Sequence, residues 1–118
     1  MNHILSRAIR GAIGVAKNSP ADIAHATVTL VEAVLRQNTL EPSDVEALIF
    51  TMTPDLTANI PPLALGEKGV LDVPCLCVAE PRWDGEMPRV IRLMAFVHRE
   101  RNTPVEHVYL NGAAPTRP

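Results

Sequence analysis

Residues 7–37, RAIRGAIGVAKNSPADIAHATVTLVEAVLRQ, contain the change of hydrophobic period that decides the fold. Over residues 7–15 the apolar side chains alternate, so that Ile9 and Ile13 share one side of the chain, as in a β-strand. The opposite side carries alanines and Arg10. This stretch therefore predicts a strand with one apolar face and one face that bears an arginine.

A helix of about residues 20–37 is predicted to follow the strand. Ser19 provides a hydroxyl cap, and Pro20 suits the first helical position. From there the apolar side chains recur every three or four residues, with polar residues opposite them, which indicates an amphipathic helix. The residues expected to face the core are Ile23, Thr27, Leu30 and Val34.

Four more strands and one short helix are predicted in the rest of the chain. The strand candidates are rich in β-branched and apolar residues, and the helix candidate begins with two prolines. The strands are residues 46–53, 73–79, 90–98 and 105–111, and the short helix is residues 61–68. The expected fold class is α+β, with a mixed five-stranded sheet, one long helix and one short helix.

The balance of helices and strands predicts a homo-oligomer. One long helix covers one face of a sheet, yet several of the predicted strands carry apolar residues on both faces. Aromatic residues make up only 3% of the chain, which gives a thin core for a monomer. The simplest cover for the second face is another copy of the same chain.

Length and charge exclude several classes of protein. A chain of 118 residues is expected to form a single domain over residues 1–118. A net charge of −2 supplies no broad positive field, so no nucleic-acid partner is expected. The sequence shows neither a signal-peptide pattern nor the roughly 20 apolar residues of a membrane helix, so we expect no membrane partner and a cytoplasmic location. The cysteines form a Cys75-Leu-Cys77 run without metal-ligand spacing, and no metal is expected.

Three charged residues stand in apolar strand contexts, namely Arg10, Glu80 and Arg92. A charge removed from water requires a partner, a ligand or an exposed position. Periodicity alone leaves a solvated sheet face and a binding site equally open. Arginine forks suit carboxylates, and a carboxylate suits a hydroxyl, so together with Tyr109 the set favours a site for a small polyanion that carries a hydroxyl.

Six short motifs support a resemblance that extends over nearly the whole chain. They are RAIRGA at 7–12, FTMTPDLT at 50–57, VPCLCVAE at 73–80, PRVIR at 88–92, HVYL at 107–110 and RP at 117–118. In this order and spacing they resemble the trimeric, pseudo-α/β-barrel family of monofunctional chorismate mutases. The resemblance implies a homotrimer with active sites between subunits, chorismate as substrate and no cofactor.

The resemblance also implies roles for individual residues. Arg92 would lie beside the ether oxygen of the bond that breaks, and Arg10 would hold a substrate carboxylate. Tyr109 would donate a hydrogen bond at the same end of the substrate. Together with Glu80, these three side chains are the expected catalytic residues.

Further positions are implied at the edge of this site. Glu80 and the backbone of Cys77 would hold the ring hydroxyl, and Arg117 would help to close the mouth. Ile60 and Leu76 occupy substrate-binding positions where the family usually has an aromatic and a small hydroxyl residue.

Two other positions at the entrance also depart from the family pattern, because Leu63 and Gly66 stand where a lysine and an arginine are expected. This loss of charge leaves open a weaker capture of substrate or a somewhat different substrate. Two alternatives remain open with it. One is a trimer of the imine/enamine deaminase type, and the other is a non-catalytic protein that binds a carboxylate ligand.

Overall fold

A computed structural model describes residues 4–114 and contains one mixed five-stranded sheet. Its strand order is β3-β2-β4-β1-β5, with β4 antiparallel to both of its neighbours and both edge strands parallel to theirs. The predicted fold class is confirmed. The elements are β1 (Ile4–Gly14), α1 (Pro20–Gln37), a 3-10 turn (Pro42–Asp44), β2 (Val45–Met52), α2 (Pro61–Lys68), β3 (Cys75–Ala79), β4 (Val90–Glu100) and β5 (Val108–Leu110).

Helix α1 begins and ends where its sequence signals predict. The Ser19 Oγ accepts a hydrogen bond from the Asp22 amide at 3.1 Å, and Pro20 occupies the first turn. Its core-facing positions are buried as expected. In the part of the chain that the structure describes, neither helix has the length and apolar character needed to cross a membrane.

The core lies between one face of the sheet and the two helices. Fully buried Ile9 and Ile13 of β1 pack in one cluster with Leu30 of α1 and Leu65 of α2. A Cβ atom at Gly11 would lie only 3.1 Å from Cδ1 of Leu30, so this glycine permits the close approach of α1 to β1.

The central strands are longer than predicted. β1 and β4 form one antiparallel ladder from the Ile4–Glu100 pair to the Gly14–Val90 pair, which extends both strands beyond their predicted limits. The β3 strand starts at Cys75 rather than at residue 73, because Pro74 has no N–H to donate to a ladder.

The prediction that β5 spans residues 105–111 is wrong, because side chains replace the ladder bonds at its start. The buried Asn38 side chain donates to the Glu106 carbonyl at 3.0 Å and accepts from the Glu106 amide at 2.7 Å. Nδ1 of His107 accepts the Arg10 amide at 2.9 Å. Regular pairing is therefore restricted to Val108–Leu110.

The other face of the sheet carries no helix within residues 4–114, and we call it the helix-free face. Strand pairing places residues of all five strands on it because paired residues point to the same side. Several of its apolar side chains are exposed to solvent in the single chain. The helix-free face comprises Ala8, Arg10, Ala12, Ile49, Thr51, Leu76, Val78, Arg92, Met94, Phe96 and Tyr109.

We predict that Asn38→Ala lowers the free energy of unfolding by about 1–3 kcal/mol, because it leaves the Glu106 backbone groups without these partners. The matched control is Gln37→Ala at the adjacent exposed position, which we expect to change stability by less than about 0.5 kcal/mol. Urea denaturation at fixed protein concentration measures both values. Equal stabilities of the two variants would contradict this role for Asn38.

Candidate active site

A row of side chains crosses the helix-free face at the level of Arg92. Thr51 on β2 pairs with Arg92 on β4, Arg92 pairs with Ala12 on β1, and Ala12 pairs with Tyr109 on β5. Neighbouring strands in a sheet are about 4.8 Å apart. The register of four strands therefore brings Thr51, Arg92 and Tyr109 together on one face of the sheet, although they are far apart in sequence.

Arg10 lies near Arg92 on the helix-free face, two residues before Ala12 on β1. It pairs with Met94, two residues from the Ala12–Arg92 pair, so its side chain shares their face. The backbone amide of Arg10 donates a hydrogen bond to Nδ1 of the His107 ring. The predicted face of Arg10 on β1 is therefore confirmed.

These residues surround a concave pocket of about 290 Å³. Arginine, tyrosine and threonine side chains supply the polar groups, while the rest of the wall is mainly apolar. This composition suits a small ligand with a few anchoring oxygens. The lining residues are Arg10, Gly11, Ala12, Ile49, Thr51, Arg92, Leu93, Met94 and Tyr109.

Glu80 compensates the charge of Arg92 beside this pocket. Its amide donates to the Met52 carbonyl at 2.8 Å, which continues the pairing of β3 with β2 by one residue. The Glu80 Oε2 atom lies 3.2 Å from Arg92 Nε and accepts the Thr51 hydroxyl at 2.6 Å. The side chains of Arg92 and Glu80 are only 21% and 14% exposed, so this pairing meets the requirement that a buried charge has a partner.

The chain after β5 reaches Arg92 as well. Nη1 of Arg92 donates to the Ala114 carbonyl at 3.2 Å. A guanidinium that is held through both Nε and Nη1 has a restricted orientation. Arg117, predicted to close the mouth, lies outside the described residues.

Comparisons with known proteins establish the family of the chain. The family model for chorismate mutase type I matches residues 6–118. The chain belongs to the type I chorismate mutase family. The assignment predicted from its six motifs is thus confirmed, and the deaminase-type alternative is set aside.

Named relatives cover almost the full chain. The chorismate mutase AroH of Thermus thermophilus is 40% identical over 116 residues, which is 95% of this chain and 93% of the relative. The Bacillus subtilis chorismate mutase AroH is 32% identical over 117 residues, or 98% and 92% of the two chains. The solved chorismate mutase of Clostridium thermocellum superposes with a TM-score of 0.83 at 35% identity, covering 91% of this chain and 96% of that one.

Glu80 contacts Arg92 and Thr51 but does not itself line the pocket. Three further residues of the predicted site do not reach this pocket in the single chain. Ile60 precedes α2 and is 41% exposed, and Leu76 on β3 is 64% exposed. Cys77 pairs with Phe50, and its side chain packs against the core on the helix-covered side. Substrate binding by these three residues therefore remains a prediction.

Sequence reasoning did not single out Thr51 or His107 as parts of the site. Both stand inside motifs that support the chorismate mutase resemblance, but their hydrogen-bond partners are distant in sequence. The signal available for Thr51 was a hydroxyl residue between the apolar Phe50 and Met52. Among the described residues no cluster of three or more His, Cys, Asp or Glu side chains could hold a metal ion.

We predict slow alkylation of both cysteines at neutral pH. Burial raises the pKa of the Cys75 and Cys77 thiols, so a smaller fraction is thiolate at a given pH than in the unfolded chain. Iodoacetamide labelling followed by mass spectrometry between pH 6.5 and pH 10 should show a midpoint shifted upward in the folded protein. The same chain in urea is the control, and coincident midpoints would contradict the prediction.

Proposed function

We propose that the chain converts chorismate to prephenate in the pocket of the helix-free face, a reaction of aromatic amino acid biosynthesis. The observation that carries the proposal is a partly buried arginine, Arg92, held in one orientation by Glu80 and the Ala114 carbonyl at the pocket wall. Family membership supplies the reaction.

The reaction is an intramolecular [3,3] rearrangement, so it requires no nucleophile, no proton transfer and no cofactor. The protein has two tasks. It must hold the enolpyruvyl arm over the ring in a reactive chair, and it must place positive charge where the ether oxygen gains negative charge. A rigid pocket with oriented donors can perform both tasks.

Arg92 is suited to the second task. Among the described residues, the partners of Arg92 occupy Nε and one Nη1 hydrogen of a guanidinium with five N–H donors. The remaining donors can serve the ether oxygen and a neighbouring carboxylate. The donors are already oriented before the substrate binds, so little reorganisation accompanies the development of charge.

Arg10 and Tyr109 are suited to the first task. Both line the pocket with Arg92, and the substrate is a dicarboxylate that needs cationic and hydroxyl donors at two ends. Glu80 accepts hydrogen bonds only, which fits the ring hydroxyl of the substrate. The ion pair between Glu80 and Arg92 supports a location of Glu80 next to the reacting bond.

A homotrimer with shared active sites completes this proposal. The apolar residues of the helix-free face, such as Ile49, Val78 and Phe96, are partly or largely exposed in the single chain, and apolar surface of this extent needs cover. Ile60, Leu76 and the backbone of Cys77 would then complete the pocket of a neighbouring subunit. We propose a cytoplasmic location as well, since the relatives are bacterial chorismate mutases.

Removal of the Arg92 guanidinium should abolish most of the activity. We expect Arg92→Ala to lower kcat/KM by at least roughly 100- to 1000-fold, the usual cost of losing one preorganised donor. Arg92→Lys should lose most of this rate as well, because an ammonium cannot bridge two oxygens as a planar fork does. Loss of the diene absorbance of chorismate measures the rate.

Arg101→Ala is the matched control for the Arg92 variants. Arg101 is exposed in the turn that follows β4, at the end of the strand remote from Arg92. Its removal should leave kcat/KM unchanged. Near-normal turnover by purified Arg92→Ala would refute the proposed mechanism. A folded wild-type protein without turnover would instead favour a non-catalytic carboxylate-binding protein.

The assembly prediction is tested by sedimentation velocity. We expect a species of three times the 12.8 kDa chain mass, and we expect Phe96→Asp to reduce or abolish it, because a charge would be buried in the subunit contact. His25→Asp on the exposed side of α1 is the control and should remain trimeric. A monomeric wild type, or a fully trimeric Phe96→Asp variant, would contradict the proposed interface.

A further inference from the structure

Thr51 is adjacent to both charged residues of the site, Arg92 and Glu80. It pairs with Arg92 across the β2–β4 ladder and with Val78 across the β2–β3 ladder, and its hydroxyl donates to Glu80 Oε2 at 2.6 Å. Buried Phe50 and Met52 flank it in sequence. A valine would satisfy the strand geometry at this position equally well, so the hydroxyl is the feature that needs an explanation.

The two oxygens of the Glu80 carboxylate have unequal partners. Oε2 accepts the Thr51 hydroxyl at 2.6 Å and lies 3.2 Å from Arg92 Nε. Within residues 4–114, the one contact of Oε1 is with the same Nε atom, at 3.4 Å. A second acceptor site is therefore available on Oε1, since each carboxylate oxygen can accept about two hydrogen bonds.

The Thr51 hydrogen bond also affects how Glu80 can pair with Arg92. A carboxylate and a guanidinium prefer a two-pronged arrangement, which would occupy an Nη donor of Arg92. The contacts of both Glu80 oxygens with Arg92 go to its Nε atom, while the Thr51 hydroxyl binds Oε2. This arrangement leaves Nη donors of Arg92 for a ligand.

We propose that Thr51 is a positioning residue, whose hydroxyl holds the Glu80 carboxylate so that Oε1 meets the ring hydroxyl of the substrate and Arg92 keeps its Nη donors for the reacting oxygen. This inference rests on the proposed chorismate mutase function. Thr51 acts through Glu80. Its effect on the reaction should therefore disappear when the carboxylate is removed.

The test compares Thr51→Val, which removes the hydroxyl and keeps the shape, with Thr51→Ser, which keeps the hydroxyl. We expect Thr51→Val to lower kcat by roughly 10- to 100-fold, as for the loss of a hydrogen bond to a charged group, while KM changes by less than about threefold. Thr51→Ser should stay within about threefold of the wild type. The matched control is Thr29→Val on α1, which should leave both constants unchanged.

A double-mutant cycle with Glu80→Ala separates positioning from packing or direct contact. In the Glu80→Ala background we expect Thr51→Val to change kcat by less than about twofold, because its target is absent. If Thr51→Val does not fold, Thr51→Ala is measured in both backgrounds with the same expectation.

Three results would overturn the inference while leaving the proposed function intact. They are wild-type kinetics in Thr51→Val, equal impairment of Thr51→Val and Thr51→Ser, and an undiminished effect of Thr51→Val in the Glu80→Ala background. The wild type is assayed first. Absence of its turnover would refute the proposed function itself, and the inference with it.

Discussion

The compensation of the Arg92 charge is the constraint on which the rest of the site depends. An arginine on the central strand of an apolar sheet cannot remain partly buried without an anionic partner. Glu80 supplies this partner from the end of a different strand, and it can do so only because β2 and β3 pair in parallel through Met52. The sheet topology thus determines the electrostatics of the pocket. The Arg92–Glu80 ion pair therefore links the sheet topology to the chemistry of the pocket.

The same topology leaves one face of the sheet without helices in the described chain. Both helices pack on one face of the sheet, so its core is built without the helix-free face. The exposed apolar residues of that face and the pocket therefore belong to one surface. A subunit that covers the face would also enclose the substrate and exclude water from the arginines, where electrostatic interactions become stronger. In the proposed trimer, assembly and catalysis would both use this uncovered face.

Much of the fold was predictable because it depends on local signals. The period of residues 7–15 identified the face of Arg10, and the Ser19-Pro20 cap identified the start of α1, since both effects act over a few residues. The start of β5 was not predictable, because Asn38 and His107 replace its ladder with side-chain bonds to distant residues. Periodicity does not encode such partners.

For the site, alternation indicates the face that carries Arg10. The family resemblance implies roles for Arg92 and Tyr109 that stay predictions, and neither signal reveals that the Thr51 hydroxyl reaches Glu80. That contact depends on the β2–β3 register, which is a property of the folded sheet. Binding by Ile60 and Leu76 stays a prediction, and in the proposed trimer it would require a second subunit.

The most direct measurement of the central claim is a crystal structure with a bicyclic ether dicarboxylate that imitates the chair-like transition state. We expect the ether oxygen to lie within about 3 Å of an Arg92 Nη atom and the ligand hydroxyl to lie within about 3 Å of Glu80 Oε1. A ligand bound away from Arg92, or with its ether oxygen directed toward the apolar wall, would contradict it.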